Sequence, residues 1–305
     1  MSKPLDRITL LETFVRIADA GSISAAARDL GLSQPSASRQ LAELESRLKA
    51  QLVRRTTHSL ALTDVGTELL VDARQLIDGW ESLEEKHRAD SDKLIGSLKV
   101  VAPVALGQRQ LARLVWRFQQ ANPGITVTWL LDDEPIRFSE VGCDCWIKVG
   151  SIADESLVVR NLGLVERLLV ATPSLLAEHG KPATPKATEC LPLVALEPYE
   201  GDHIPLHRGK RTSTVHPTVR MRTNNIFALK EAALMGLGMA ILPRWFVANE
   251  LDRGELSDVL PSWRAPSLPV RVAYLPGRHQ TMRLRAFLAE LREQVPTIDG
   301  ISSAA

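Results

Sequence analysis

The sequence has few cysteines and no long apolar run, and each shortage excludes a class of protein. Three cysteines in 305 residues, an odd number, argue against a disulfide framework and fit a reducing cytoplasm. No apolar run approaches the ~18–20 residues that a membrane-spanning helix needs. Residues 1–7 contain no apolar segment of the signal-peptide type. We therefore expect a cytoplasmic globular protein, and 305 residues suggest two or three units.

The sequence also lacks the short motifs of several enzyme classes. Gly-x-Ser-x-Gly, the P-loop, Gly-x-Gly-x-x-Gly and His-Glu-x-x-His do not occur. His203, His207 and His216 cluster loosely in a loop-like stretch without a nucleophile as partner. We predict no catalytic residue, no metal site and no cofactor. A ligand-binding enzyme or a transport-type binding protein is the rival class, and it leaves residues 1–93 unexplained.

Two cysteines, Cys143 and Cys145, flank an aspartate, and two chemical roles can be weighed for them. Zinc needs about four ligands at recognisable spacing, and no Cys or His pair in sequence range supplies the others. A redox switch needs a reactive thiol, whereas Cys145 falls in an apolar strand pattern. The pattern favours buried structural cysteines over a switch.

The clearest motif is a pair of short helices within residues 22–49. The first is alanine-rich and runs from about Ser24 to Leu30, and Gly31 separates it from the second. Ser33 is a predicted N-cap, and Pro35 falls in the first turn, where a missing N–H does no harm. The second helix carries a buried stripe with helical spacing, formed by Ala37, Leu41, Leu44 and Leu48. A tight helix–turn–helix with small polar and basic residues at the start of its second helix is typical of major-groove binding.

The flanking residues complete a DNA-binding head. Residues 8–18 predict a first amphipathic helix that Gly21 ends. Residues 52–62 predict a β-hairpin wing that carries Arg54 and Arg55 and can reach phosphates or the minor groove. The formal net charge of +1 conceals an uneven distribution of charge along the chain, since residues 1–62 carry +3 and residues 63–93 carry −5. A mildly basic head followed by an acidic segment suits phosphate binding.

The head resembles the winged helix–turn–helix of LysR-type transcriptional regulators. The matching segments are Gly21-Ser-Ile-Ser-Ala-Ala-Ala, Leu30-Gly-Leu-Ser-Gln-Pro-Ser-Ala-Ser-Arg-Gln-Leu and Leu62-Thr-Asp-Val-Gly. The resemblance implies that the recognition helix starts at Ser33-Gln-Pro. The DNA-binding residues that it implies are Gln34, Pro35, Ser36, Ser38 and Arg39 on the helix and Arg54 and Arg55 on the wing.

Residues 63–93 predict a helix with Thr63 as its N-cap. Its apolar residues form a seam in which neighbours are alternately four and three positions apart. The seam residues are Leu69, Ala73, Leu76, Trp80 and Leu83. Periodicity alone does not separate a coiled coil from a core helix over so short a stretch. Trp80 and an acidic outer face favour a helix that projects and pairs. In the LysR family this segment is an antiparallel dimerising linker helix, and the resemblance implies that role here.

Residues 94–305 alternate strand-like and helix-like segments. Strands are predicted at 98–104, 125–131, 145–150, 164–171 and 270–275, and helices at 106–120, 223–240 and 281–293. The segment Gly236–Pro243 is predicted to end the second of these helices, with a strand after its glycines. This alternation predicts an α/β sheet that binds ligands at the carboxyl ends of its strands.

This part also resembles a LysR effector domain, through Ile136–Gly150, Leu157–Gly163 and Gly236–Pro243. The implied fold is an α/β effector domain of two periplasmic-binding-protein-like subdomains, preceded by an all-α winged helix–turn–helix domain and a long linker helix. The implied domains are 1–62, 63–93 and 94–305, with subdomain I at about 94–167 and 269–295 and subdomain II at about 168–268.

The resemblance implies an effector cleft between the subdomains. The matching positions are Pro103, Val104, Ala105, Lys148, Gly150, Thr223 and Asn224. Exposed N–H groups at strand exits and a helix N-terminus favour an anion there, and Lys148 can pair a carboxylate. The family often has alanine where Trp146 stands, so the effector class is not borrowed from relatives.

The resemblance implies a sequence-specific transcriptional regulator that binds promoter DNA as a homo-oligomer and responds to a small-molecule effector. Its implied partners are double-stranded DNA, further copies of itself as a dimer or tetramer, and an effector. It allows RNA polymerase as one more partner and implies a cytoplasmic, nucleoid-associated location.

Overall fold

The computed structural model of the protein describes residues 6–55, 60–87, 94–276 and 280–303. In these ranges the chain forms a small helical head, one long helix and an α/β unit. None of the helices in these ranges combines the length and the apolar character needed to cross a bilayer.

The head consists of three helices and a two-stranded wing. Its elements are α1 (Arg7–Ala20), α2 (Ile23–Asp29), α3 (Gln34–Leu48), β1 (Val53–Arg55) and β2 (Leu60–Leu62). α1 ends where Gly21 adopts a left-handed conformation (φ 59°), as glycine readily does. Phe14, Ile17 and Leu41 are fully buried where the three helices meet. The predicted helix–turn–helix and wing are thereby confirmed, except that Leu48, predicted to be buried, is largely exposed.

The head leads directly into the long helix α4 (Asp64–His87). Thr63 starts it, because the Thr63 Oγ1 atom accepts the N–H of Gly66 at 2.9 Å. Residues 88–93 of the segment that was predicted as one helix lie outside the described residues.

The α/β unit begins with three parallel strands and their connecting helices. These elements are β3 (Ile95–Ala102), α5 (Val104–Leu106), a π-helical turn (Gly107–Leu111), α6 (Ala112–Ala121), β4 (Gly124–Leu131), α7 (Phe138–Val141) and β5 (Cys145–Val149). The middle of the unit is β6 (Val158–Ala171), α8 (Pro173–His179), a 3₁₀ helix (Lys186–Cys190), β7 (Leu193–Leu196), β8 (Ile204–Arg208), β9 (Arg211–Val215) and β10 (Val219–Thr223). The remainder is α9 (Ile226–Leu234), β11 (Met239–Pro243), α10 (Arg244–Asp252), β12 (Ser257–Asp258), β13 (Ala265–Tyr274), α11 (Met282–Gln294), a 3₁₀ helix (Val295–Thr297) and β14 (Ile301–Ser302).

Two long antiparallel strands, β6 and β13, join two parallel sets of strands into one sheet. The strand order is β10-β7-β11-β6-β13-β5-β3-β4, and β12 and β14 also pair with β6. Pro243, at the carboxyl end of β11, pairs with Arg167 of β6. Val149, at the carboxyl end of β5, pairs with Val270 of β13, which in turn pairs with Gly163 of β6. The carboxyl ends of both parallel sets therefore meet near residues 163–167.

The hydrophobic core against which β6 and β13 pack also changes near residues 163–167 of β6. Val165 and Val270 belong to a core that contains α6 and α11, whereas Leu169 and Ala265 belong to a core beside β7 and α8. Two packed units therefore share the sheet, and β6 and β13 pass through both.

The predicted helix over 223–240 is shorter in the structure. The side chain of Asn225 caps α9 by accepting the N–H groups of Phe227 and Ala228 at 3.0 and 3.1 Å. α9 ends at Leu234, and Gly236 is left-handed (φ 74°), so the chain turns directly into β11. The β8–β9 hairpin and the helix α10 were not predicted.

Candidate nucleic-acid interface and ligand cavity

The N-terminal half of α3 presents an exposed face of the head. The N–H of Ser36 donates to the Oγ atom of Ser33 at 3.3 Å, so this serine caps the helix as predicted. The residues predicted to bind DNA lie on this face: Gln34, Pro35 and Arg39 are exposed, and Ser36 and Ser38 are partly exposed. The opposite face, with Ala37 and Leu41, is buried. The start of α3 thus offers a short polar and basic surface.

Polar contacts hold α3 in place from both sides. The hydroxyl of Thr13 on α1 donates to the side-chain carbonyl of Gln40 in a buried contact. The Glu45 carboxylate accepts the N–H of Leu52 at 2.8 Å and that of Val53 at 3.4 Å. The second contact ties the end of α3 to the first strand of the wing.

The wing places one of its two predicted arginines at the surface. Arg54 is exposed and pairs in register with Ala61. Arg55 lies at the end of β1, but its side chain is outside the described part of the structure.

The predicted seam of α4 divides into two parts. Leu76, Trp80 and Leu83 are 58%, 46% and 52% exposed, which leaves a row of apolar side chains open on one face. Leu69 is partly buried against the head. The prediction for Ala73 is corrected, because Ala73 is fully buried in the core of the head and cannot face a second helix.

A cavity of about 550 Å³ lies where the carboxyl ends of the two parallel strand sets meet. Of the positions predicted for the effector, Pro103, Ala105, Lys148 and Asn224 line it. Further lining residues include Asp132, Asp133, Glu134, Trp146, Val165, Arg167, Leu196, Tyr199, Ile241, Trp245 and Leu268. The walls are mainly apolar and aromatic, with charged groups at a few points.

Three predicted effector residues lie beside the cavity but are not among its lining residues. The N–H of Val104 donates to the Asp133 carboxylate at 2.9 Å. Gly150 donates its N–H to the carbonyl of Pro269 at 2.8 Å. The hydroxyl of Thr223 accepts the N–H of Asn225 at 3.1 Å.

Three N–H groups at the two helix starts therefore already have partners. At α5 the acceptor is Asp133, and at α9 the N–H groups of Phe227 and Ala228 donate to Asn225. These groups were expected to favour an anion. An anion in the cavity has to find other donors.

Lys148 is the cation that the cavity offers. Its Nζ atom lies 4.9 Å from the centre of the Trp146 ring, a cation–π contact. Within the described residues no carboxylate comes within ion-pair distance of it. Burial lowers the pKa of Lys148, and the negative charges of Glu134, Asp133 and Asp132 oppose that shift. Lys148 is thus a half-buried ammonium group without a direct counter-ion.

Arg167 and Glu200 form a buried ion pair in the wall of the cavity. Their side chains are 2.6 Å apart, and the other Glu200 oxygen accepts the N–H of Leu196 at 2.7 Å. Burial raises the pKa of Glu200, and Arg167 opposes that rise. Each charge has the other as its partner, and the pair ties the loop after β7 to β6.

The loop after β7 reaches across to the other strand set. The Tyr199 hydroxyl donates to the carbonyl of Val149 at 2.9 Å. The Nε1 atom of Trp245 is buried and finds no acceptor among the described residues. A ligand acceptor in the cavity would satisfy a donor of this kind.

Sequence reasoning missed the acidic trio 132–134, the Arg167–Glu200 pair, Tyr199 and Trp245. One signal was present, since Arg167 interrupts an apolar strand pattern and a buried arginine needs a partner. The partner stands 33 residues later, and no local pattern points to it.

The cysteine prediction agrees with the packing. Cys143 and Cys145 are both buried, whereas Cys190 is exposed. Burial raises the pKa of Cys143 to about 12 and raises that of Cys145 as well, so neither is a ready thiolate. Among the residues that the structure describes, no group of three or more potential metal ligands occurs.

Two family models match the chain. The model described as "LysR substrate binding domain" matches residues 91–296. The model described as "Bacterial regulatory helix-turn-helix protein, lysR family" matches residues 8–67.

Individual proteins match along nearly their whole length. The HTH-type transcriptional regulator YhjC of Escherichia coli is 28% identical over 290 residues, which cover 93% of this chain and 96% of YhjC. The crystal structure of ArgP from Mycobacterium tuberculosis is 18% identical, covers 99% of this chain and 100% of its own, and has a TM-score of 0.66. LysG from Corynebacterium glutamicum, solved at full length with bound effector Arg, is 19% identical, covers 98% and 100%, and has a TM-score of 0.62. At these identities the two structures establish a shared fold.

Proposed function

The chain belongs to the LysR family of DNA-binding transcriptional regulators, and from this premise we propose which of its residues carry each step. The exposed start of α3 reads bases in the major groove. Arg39 is the strongest reader, because a guanidinium can donate two hydrogen bonds to a guanine edge. Gln34, Pro35, Ser36 and Ser38 complete the contact surface. Arg54 and Arg55 on the wing bind backbone phosphates.

The DNA-bound form is an oligomer built on α4. The open row of Leu76, Trp80 and Leu83 supports this assignment, because such a row is rarely left in water on a projecting helix. Pairing two heads doubles the contact surface, and a dimer of dimers follows if the effector domains also associate. Residues 1–62, 63–93 and 94–305 form the head, the linker and the effector domain, with the change between subdomains at about 167/168 and 268/269.

The cavity binds a small organic anion with an apolar body. One observation carries this proposal: Lys148 holds its ammonium group half-buried on the Trp146 ring, and none of the described carboxylates lies within ion-pair distance. A carboxylate there would gain a charge-assisted hydrogen bond and restore the usual solvation of the ammonium. The body of the ligand would rest on Ile241 and Leu268, and the buried Trp245 N–H offers a second donor.

Ligand binding acts on the arrangement of the two subdomains. A ligand that touches both Lys148 of one strand set and Asn224 of the other favours the arrangement that brings them closest. We propose that the protein acts by binding DNA and a ligand rather than by catalysis, in keeping with its family. We place it in the cytoplasm with the nucleoid, where RNA polymerase is a further partner.

The effector assignment is tested with pairs of probes that differ only in charge. Benzoate and small aliphatic carboxylates, each beside its neutral amide, are titrated into the full chain by calorimetry and thermal shift. We expect the acids to bind and to raise the melting temperature, whereas the amides bind at least about tenfold more weakly.

Substitution of the lysine provides the second arm of this test. Lys148→Met should lower the affinity for the acids by about tenfold or more and leave weak amide binding unchanged. Lys181→Met, an exposed lysine outside the cavity, is the matched control. Equal binding of acids and amides, or full affinity in Lys148→Met, would contradict the assignment.

A further inference from the structure

Charged side chains fasten the long helix α4 to the effector domain. Arg283 at the start of α11 donates its Nε–H to the carbonyl of Ser97 at 2.7 Å. The same buried guanidinium forms an ion pair with Glu81 of α4. α4 therefore has a defined contact with the last helix and with β3.

A second arginine connects three parts of the molecule. Arg74 of α4 forms an ion pair with Asp19 of α1, in the head. Its guanidinium also packs on Gly142, where a Cβ atom would lie 2.0 Å from the Cζ atom of Arg74. Gly142 precedes the Cys143-Asp144-Cys145 segment of the effector domain. The head, the linker and the effector domain thus meet around one side chain.

Asp78 lies between these two arginine contacts. Its carboxylate is partly buried and has no hydrogen bond or ion pair among the described residues. Asp144 is nearby and is held in place, because its carboxylate accepts the N–H of Lys99 at 2.6 Å. Asp144 and Glu81 lie close enough for their charges to act on Asp78, which no described residue pairs with.

Burial raises the pKa of Asp78 to about 7, and the charges of Asp144 and Glu81 add to the rise. Arg283 and Arg74 oppose it only in part. Asp78 is therefore neutral in the junction below about pH 7 and charged above it.

We propose that this junction is a proton-dependent latch between the effector domain and the DNA-binding head. With Asp78 neutral, α4 stays seated against residues 142–144 and against α11. When Asp78 loses its proton, the repulsion from Asp144 and Glu81 favours an opened junction in which water surrounds the carboxylate. Arg74 then no longer holds the head and the effector domain in one arrangement.

Other titratable and charged groups surround the latch, and their roles differ. α1 contributes Glu12 and Asp19, β3 contributes Lys99, and the segment before β5 contributes Cys143 beside Asp144. Burial raises the pKa of Glu12 and of Asp144, and the pKa of Cys143 is raised to about 12. Lys99 and Asp144 are fixed to one another by the backbone contact, whereas Asp78 is held by none.

The sign of the pH effect follows from the two protonation states. The closed junction binds the Asp78 proton with a pKa of about 7, whereas an opened, hydrated carboxyl has its ordinary value of 3.8. Opening therefore releases a proton between those values, and the ratio of open to closed forms rises with pH. With these two pKa values, proton linkage predicts that the ratio of open to closed forms rises about tenfold between pH 6 and pH 8, and most of this rise falls below pH 7.

Cys143 supplies a local probe of opening. Its thiol is buried at the junction, and the exposed Cys190 serves as a reference in the same chain. The full-length protein is labelled with N-ethylmaleimide between pH 6 and pH 8, and tandem mass spectrometry gives the rate for each cysteine. Comparing Asp78→Asn with the wild type at each pH cancels the intrinsic chemistry of the thiol.

We expect the Cys143 rate of the wild type, relative to Asp78→Asn, to rise about tenfold from pH 6 to pH 8. Asp72→Asn makes the same charge change at an exposed position of α4 and should follow the wild type. Asp144→Asn removes one repulsive charge and should move the midpoint to lower pH. Circular dichroism checks that every variant keeps its fold.

Two results would overturn the latch. One is a wild-type rate that keeps a constant ratio to that of Asp78→Asn at every pH. The other is a pH profile that Asp72→Asn changes as much as Asp78→Asn does, since the effect would then be one of net charge. Should Asp78→Asn fail to fold, a midpoint in Asp144→Asn that does not move from the wild-type value would equally refute it.

Discussion

Arg39 has a different environment from the other arginine near it on α3. Arg39 is exposed on the N-terminal half of α3, whereas Arg47 near the end of the helix is paired with Glu43 at 2.7 Å. An exposed guanidinium such as that of Arg39 can turn toward a base edge. The same helix therefore provides a proposed base reader and a matched control.

Arg39→Ala should weaken binding to a specific site by about 1–3 kcal/mol and binding to random DNA much less. The specific site is obtained by selecting duplexes with the protein itself, and fluorescence anisotropy gives both affinities at several salt concentrations. Arg47→Ala should leave both affinities near their wild-type values. Equal losses of Arg39→Ala on both kinds of DNA would make Arg39 a phosphate contact.

At the scale of residues, the sequence predicted which groups are able to bind a ligand better than it predicted which of them are already hydrogen-bonded. Ser33 and Pro35 mark the helix start because capping depends only on neighbouring residues. The N–H of Val104 is present as expected, but it already donates to Asp133. Asn225 caps its helix as a residue of this type can, and it thereby occupies the N–H of Phe227. Such competition depends on residues far apart in the chain, so sequence patterns alone do not reveal it.

At the scale of elements, two glycines of α4 have opposite surroundings. A Cβ atom on Gly66 would lie 2.1 Å from the backbone oxygen of Leu52, whereas one on Gly79 would meet nothing within 4 Å. Gly66 therefore permits the close approach of α4 to the chain that enters the wing. Gly79 has no such role and only weakens the helix.

Gly66→Ala should destabilise the protein by about 1–3 kcal/mol, because backbone must move to admit the methyl group. Gly79→Ala should stabilise it by about 0.5–1 kcal/mol through helix propensity. Urea unfolding followed by circular dichroism measures both. A neutral Gly66→Ala would mean that α4 is not held against the wing in solution.

The helical period of α4 was predictable, but its division between two roles was not. The 4,3 spacing includes Ala73 with Leu76 and Trp80 because all three lie on one stripe. Only the packing of the head shows that Ala73 is buried in it, whereas the later positions are open. A stripe identifies a face, and the neighbours of the helix decide what covers each position on that face.

At the scale of the whole molecule, the exposed row on α4 predicts the assembly. Leu76→Glu places a charge in the centre of that row, where a paired helix would have to bury it without a counter-ion. We expect the sedimentation mass of the full chain to fall by about half, since one twofold contact is lost. Gln75→Glu adds the same charge beside the row and should leave the mass unchanged. An unaltered mass in Leu76→Glu would show that other surfaces hold the subunits together.

Alternation of strands and helices predicted an α/β unit, yet not the way in which its halves are joined. Most connections inside each half are local, so periodicity locates β3, β4 and β5. The pairing of β6 with β13 links residues about a hundred positions apart, and the short β8–β9 hairpin has no strong pattern. The cavity lies between the halves, so the sequence indicated four of its lining residues and the neighbouring Trp146, but missed the acidic trio 132–134, Tyr199 and Trp245.

The position of Asp78 along α4 has a consequence for geometry at the DNA. The helix from Asp64 to Asp78 contains 15 residues, and the 14 rises of about 1.5 Å between them make an arm of about 21 Å. A tilt of about 10° at Asp78 would carry the head end of that arm sideways by about 4 Å, close to one base-pair step of duplex DNA. α4 would then act as a lever that turns a small angular change near the effector domain into a change in the spacing between two bound heads.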